Sequence, residues 1–206
     1  LDMKQQIFMS TKAGQRGDEP LETKFQTSLE RLGVSQIDVY QIHNVVFQDW
    51  QAMLPVLREW KQEGLIRYLG ITGSELQEHA DIAEIIRTEP LDFLQIDYNL
   101  LSRNIENEIL PIARDKGIAV LGNVPYAQGE LFSLVSGIEL PAFAKEFGCQ
   151  SWGNFFLKYN ISHPDMTATI PGTTKPHHAL DNLHAGTGRL PTAAERRMQE
   201  EFIAAL

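Results

Sequence analysis

Short aliphatic or β-branched runs recur along this sequence, and each ends on a polar side chain able to take part in chemistry. Lys12 follows 7–11, His43 follows 37–42, Thr72 follows 66–71, and Gln95 to Asn99 close the run that begins at Phe93. Asn123 follows 118–121, and Pro171-Gly172-Thr173-Thr174-Lys175 follows 167–170. A lone lysine or histidine at the end of a strand is unremarkable, but a polar group at every such end in turn describes one functional rim. The last group has its own chemistry. A turn of small residues leads into a helix expected to start near Pro176, a residue suited to the first helical turn. Exposed backbone N–H groups and the helix dipole make such a start an anion site. With Thr173, Thr174, Lys175 and His178 around it, a phosphate is the natural guest.

The elements that must carry these residues are legible from periodicity. The aliphatic runs read as strands buried on both faces. Between them apolar residues return at helical spacing, as at Leu21, Phe25, Leu29 and Leu32, then Leu54, Leu57 and Trp60. Gly33, Gly64 and Gly117 each stand just after a helical stretch and before a strand, where a left-handed C-terminal cap belongs. Repeated strand and helix predict a parallel sheet with right-handed crossovers. An open dinucleotide-binding sheet would place a Gly-rich turn straight after its first strand, and Ser10-Thr11-Lys12-Ala13-Gly14 is no GxGxxG. The prediction is therefore a (β/α)8 barrel, whose active rim is the C-terminal one. It is incomplete: six strands are found where eight are needed, and 206 residues fall short of the usual size by about two βα units. Leu1 in place of a methionine makes the N-terminal end the expected site of the loss. Residues 1–206 read as one domain.

Composition excludes several classes. The formal net charge of −9 opposes broad binding to nucleic acid or an anionic membrane. No run approaches a membrane span, and no signal peptide opens the chain, so a cytoplasmic location is expected. One cysteine, Cys149, forbids an internal disulfide or a cysteine zinc site. No His/Asp cluster at the strand ends suggests a metal. Alternation along the second strand sets Gln41 and Val39 on the side of His43 and turns Tyr40 and Ile42 to the helices. Trp50, Trp60, Trp152, Phe155 and Phe156 are expected in the core. His79, His163, His177 and His184 are expected at the surface or in caps.

With these motifs in place, the sequence resembles the aldo-keto reductase family. Ser10-Thr11-Lys12 is similar to the family's third strand with its lysine, and Ile37-Asp38-Val39-Tyr40-Gln41-Ile42-His43 to the fourth, ending in its histidine. The stretch 64–72 resembles the fifth strand, Gln95-Ile96-Asp97-Tyr98-Asn99 the sixth, and 170–175 the cofactor-phosphate turn. The resemblance runs over nearly the whole chain. It implies NADPH-dependent reduction, with NADH possible, of a small aldehyde or ketone by direct hydride transfer. It implies catalytic roles for Lys12 and His43. Cofactor contacts are implied for Thr72, Gln95, Asn123, Pro125, Gly129, Gly172, Thr173, Thr174, Lys175, His178 and Asn182.

The family's remaining catalytic residues, an Asp and a Tyr acid, belong before the lysine strand, where only 1–6 stand here. The expectation is an inactive fragment comprising the C-terminal three quarters of the domain, poorly soluble on its own. Thr72-Gly73 stands where the family often has Ser-Asn, Asn123 where many members stack a tyrosine on the nicotinamide, and His178 where many carry an arginine. A non-catalytic nucleotide-binding or regulatory relative is the competing reading.

Overall fold

The computed structural model describes residues 7–14 and 19–206, and the chain divides into two compact units. One holds residues 1–95 and 112–119, the other 96–111 and 120–206. The expectations for 1–6 lie outside the described residues.

The first unit carries β1 (Ser10–Ala13), β2 (Ile37–Ile42), β3 (Ile66–Thr72) and the start of β4 (Phe93–Asp97), all parallel neighbours in chain order. Helix α1 (Leu21–Leu32) joins β1 to β2, α2 (Trp50–Gln62) joins β2 to β3, and α3 (His79–Thr88) joins β3 to β4. The predicted alternation holds. On the helix side Tyr40 meets Phe25 of α1 and Trp60 of α2 edge-on, with ring centroids 5.1 and 5.8 Å away, and Phe25 stacks on Trp60 at 4.2 Å. Burial pushes the Tyr40 phenol up to about 12, partly offset by the Ser28 hydroxyl. On the other face Gln41 donates from Nε2 to Ser10 Oγ and Gln95 Oε1, each at 3.3 Å. Gly33, Gly64 and Gly117 have φ of 66°, 76° and 69°, as their positions after helices require.

The first strand is a correction. The apolar run 7–11 predicts a strand there, yet pairing begins at Ser10, with Ile7 and Phe8 half exposed. Phe8 packs instead against Tyr68 and Phe93, at centroid distances of 6.2 and 6.0 Å, near the N-terminal ends of β3 and β4. Periodicity reports which residues want burial, and Phe8 satisfies that outside the ladder. Gln95 is likewise inside β4 rather than after it, because backbone pairing continues under polar side chains.

The second unit contains the end of β4, β5 (Ala119–Asn123), β6 (Ala168–Thr169), α5 (Glu130–Leu134), α6 (Trp152–Ile161), α7 (Pro176–Ala185) and α8 (Ala193–Ala204). Helix α4 (Ile109–Lys116) and β5 each contribute residues to both units. β5 pairs in parallel with β6, Leu121 opposite Ala168 and Gly122 opposite Thr169. Asn123 O accepts from Tyr98 N–H at 3.2 Å at the C-terminal end of β4. Helix α6 is buried over 153–160 and organises this unit. Its Lys158 is fully buried, donating to Thr187 O at 2.7 Å and Arg189 O at 3.0 Å, so it ties α6 to the α7–α8 connection. Arg196 of α8 reaches Tyr98 Oη at 2.7 Å and Glu106 at 3.1 Å while its guanidinium lies 4.0 Å from the Tyr159 ring centre. Among the described residues no helix is long and apolar enough to cross a membrane.

Candidate functional site

In the first unit the strand ends bring Lys12, His43, Thr72 and Gln95 to one edge of one face. Register fixes this: Lys12 lies opposite Gln41, and Thr72 opposite Gln95. His43 leaves β2 with its N–H bonded to Ala13 O at 3.0 Å, so it is held beside the residue after Lys12. Residue Asn44 then turns sharply at φ 50°, and its N–H donates to Thr72 Oγ1 at 2.9 Å. Thr72 is buried, so its hydroxyl anchors the turn that carries the imidazole. The Lys12 side chain is exposed in β1, but desolvation by the protein around it lowers its ammonium below the ordinary lysine value. The ladder thus sets Lys12 opposite Gln41, two residues before His43, on neighbouring parallel strands.

Thr72-Gly73 has a physical reason. A Cβ at Gly73 would stand 2.3 Å from Ile82 Cδ1 and 2.7 Å from Glu78 Oε2, so a larger residue there would require these two side-chain ends to shift. Glu78 is itself buried and accepts from Ser74 N–H at 3.0 Å.

In the second unit Gly172, Thr173, His178 and Asn182, of the other predicted residues, line one cavity, while Asn123, Pro125, Gly129, Thr174 and Lys175 are not among its lining. A cavity of about 700 Å³ is lined by Tyr126, Phe132, Trp152, Gly172, Thr173, His178 and Asn182 among others. Helix α7 starts at Pro176, with Lys175 as its N-cap, and no side chain caps its first turn. Thr173 Oγ1 accepts from Lys175 N–H at 3.2 Å, which shapes the turn and leaves the helix start to other acceptors. Asp181 is held from α6: Ser151 Oγ donates to Oδ2 at 2.7 Å and Asn154 Nδ2 to Oδ1 at 3.1 Å. Gly153 also lines the cavity, and a Cβ there would sit 2.7 Å from Asp181 Oδ2. Asn123 ends β5, Pro125 is buried in the turn after it, and Gly129 (φ 98°) caps α5. Thr174 and Lys175 are exposed at the turn.

Sequence reasoning missed Tyr126, Phe132 and Trp152 as cavity residues. Trp152, expected in the core, is half-buried with its indole N–H on Ile138 O at 3.0 Å and a face on the cavity. Aromatic residues at helical spacing look alike whether they fill a core or line a hollow, so the pattern carried no signal. Cys149 is buried, and its thiol is pushed up to about 12 by desolvation, which makes it inert. No group of three potential metal ligands occurs among the described residues.

All five tyrosines are placed and engaged. Tyr40 faces helices, Tyr68 packs on Phe93 at 5.6 Å, and Tyr98 and Tyr159 contact Arg196. Tyr126 donates to Asn182.

Comparison with known proteins places these sites in context. The sequence model of the Aldo/keto reductase family matches residues 2–200. The chain is similar to an NADH-specific methylglyoxal reductase of Escherichia coli, 27% identical across 88% of this chain and 64% of that protein. It is also similar to an uncharacterized oxidoreductase of Schizosaccharomyces pombe, 30% identical across 84% of this chain and 55% of that protein. The chain thus spans about three fifths of the length of these two curated relatives. Among solved structures, the holo form of an aldo-keto reductase from Bacillus halodurans superposes with a TM-score of 0.76 at 23% identity, covering 98% of this chain and 74% of that one. An aldo-keto reductase from Klebsiella pneumoniae in complex with NADPH gives 0.76 at 21% identity, covering 97% and 70%.

Proposed function

The chain belongs to the Aldo/keto reductase family, and from that premise we propose that its residues serve the NAD(P)H-dependent reduction of an aldehyde or ketone to an alcohol. The observation that carries this reading is the placement of Lys12 and His43 at the C-terminal ends of neighbouring parallel strands, where β1 and β2 stay bonded up to His43. The turn at 172–175, the uncapped start of α7 and the adjoining cavity suit the phosphate and nucleoside part of the cofactor. The relative described as NADH-specific and the neighbour solved with NADPH support a nicotinamide dinucleotide of either kind. When bound, such a cofactor supplies the hydride.

The residues of the chain do the rest of what can be assigned. His43 donates a hydrogen bond to the carbonyl oxygen and draws electron density from the carbon. Lys12, a cation of lowered pKa, stabilises negative charge on a neighbouring oxygen acid as that acid gives up its proton. None of the five tyrosines of this chain is placed for that acid role in the first unit, where Tyr40 turns to the helices and Tyr68 lies two residues below Gly70. We therefore infer that the chain by itself binds cofactor without turning over substrate. Titration with NADPH and NADH by protein fluorescence, alongside aldehyde-dependent oxidation followed at 340 nm, tests both parts. Binding without oxidation is the expected result. No binding of either dinucleotide would refute the cofactor reading, and turnover would refute the inferred inactivity.

A further inference from the structure

Backbone strain in the described residues gathers at two places. The non-glycine residues with positive φ are Asn44, Val124, Ala127 and Gln128, at 50°, 49°, 47° and 54°. Asn44 follows His43. The other three flank Tyr126 in the turn that leaves β5, and Gly129 continues it at φ 98°. Strain of this kind persists only where the surroundings over-determine it, and it concentrates at functional sites.

The turn aims Tyr126 at α7. Its hydroxyl donates to Asn182 Oδ1 at 2.5 Å across 56 residues of sequence, and its ring lies 4.9 Å from Phe132 and 6.4 Å from Phe156. Desolvation, with the Asp181 charge behind it, raises the phenol well above the usual range. Fixing Oδ1 fixes the whole amide, because the two ends of an Asn side chain turn together. The Nδ2 donors of Asn182 make no hydrogen bond to any described residue, and Asn182 lines the cavity of about 700 Å³ together with Tyr126. The neighbouring acceptor, Asp181, is already engaged by Ser151 and Asn154.

We propose that Tyr126 is a positioning residue for nucleotide recognition: it holds the Asn182 amide so that its N–H groups meet an acceptor edge of a purine base in the cavity. This rests on the cofactor reading above and adds to it the residue that sets how the base is met. An amide locked in one orientation offers donors to a ring nitrogen, whereas a freed amide loses that preorganisation.

The test is titration of the full chain with AMP and with ribose 5-phosphate, read by calorimetry and by tryptophan fluorescence, to which Trp152 in the cavity lining contributes. For Tyr126→Phe we expect AMP affinity to fall roughly five- to tenfold, the weight of one well-placed hydrogen bond. Ribose 5-phosphate affinity should hold within twofold, since no base is present to meet the amide. Asn182→Ala should lose as much for AMP, and the double variant should lose no more than either alone. The retained ribose 5-phosphate affinity guards against a variant that merely misfolds. An unchanged AMP affinity in Tyr126→Phe, an equal loss for both ligands, or additive losses would each overturn the proposal. Should the unsubstituted chain bind neither AMP nor NADPH, the cofactor reading itself falls and this assignment with it.

Discussion

Gly70→Ala asks how much of the first unit depends on a missing methyl group. Gly70 lies in β3 between Gln41 of β2 and Phe93 of β4. An added Cβ would stand 2.6 Å from Phe93 O, 2.9 Å from Phe93 Cβ and 3.2 Å from Gln41 Cγ. The closest of these is a backbone carbonyl in a paired strand, which cannot swing away as the end of a side chain can. Relief must come from parting β3 and β4 at the layer just below Thr72 and Gln95. Overpacking of this kind costs about 3 kcal/mol, the upper part of its usual range, because main chain must move. For a chain of this size that lowers Tm by roughly 6–12 °C. Gly64→Ala is the control: no atom lies within 4 Å of its Cβ, and only its φ of 76° is penalised. That costs about 1–2 kcal/mol and roughly 2–8 °C. Thermal melts by circular dichroism compare the two. A Gly70→Ala Tm within 2 °C of the parent, or a drop smaller than that of Gly64→Ala, would refute the argument that close strand approach, rather than backbone freedom, requires glycine at 70.

Three further outcomes are expected. Arg196→Leu removes the cation shared by Tyr98 and Glu106 and leaves a partly buried carboxylate, so stability should fall by roughly 3–5 kcal/mol in urea unfolding. Glu195 is held by Arg189 and by the Thr192 N–H and hydroxyl, which lower its pKa from 4.5 to about 2. Its folded value is the depressed one, so its stabilising contribution is full above pH 4.5 and is lost as pH falls toward about 2. Amide exchange at the start of α8 should accelerate across that window, and Glu195→Gln should flatten the dependence. Ser151→Ala deletes both the cap of α6 and the bond to Asp181, and should cost about 1 kcal/mol in unfolding while weakening AMP binding.

The strands were legible in the sequence, and the hollow was not. Tyr40 could be assigned to the helix face because strand parity is strict, and the structure places it between Phe25 and Trp60. Lys12 and His43 could be expected near one another because both stand at the C-terminal ends of neighbouring parallel strands, whose register sets Lys12 opposite Gln41. Strand limits were less legible: Phe8 is as apolar as a strand residue yet sits outside the ladder, and Asn123 is polar yet ends β5. The role of Tyr126 was illegible, since it depends on a contact with a residue 56 positions away and on three φ values that no residue type there announces.

Those φ values are a feature the two candidate regions have in common. Asn44 and the 124–129 turn are each strained just past a strand end, and each strain is balanced by a hydrogen bond to another element of the same unit. Thr72 Oγ1 takes the Asn44 N–H, and Tyr126 Oη reaches Asn182. A strand delivers a side chain along a fixed direction every second residue, so a group that must leave that direction needs an unusual backbone step immediately after the ladder. The step is stable only while its partner is present. Thr72 therefore acts first on the position of His43, and loss of its hydroxyl in Thr72→Val should free the Asn44 turn even if no ligand ever touches residue 72. Faster amide exchange at Asn44 in that variant, with β2 still protected, is the expected sign, and unchanged protection at Asn44 would show that the turn is held by something else.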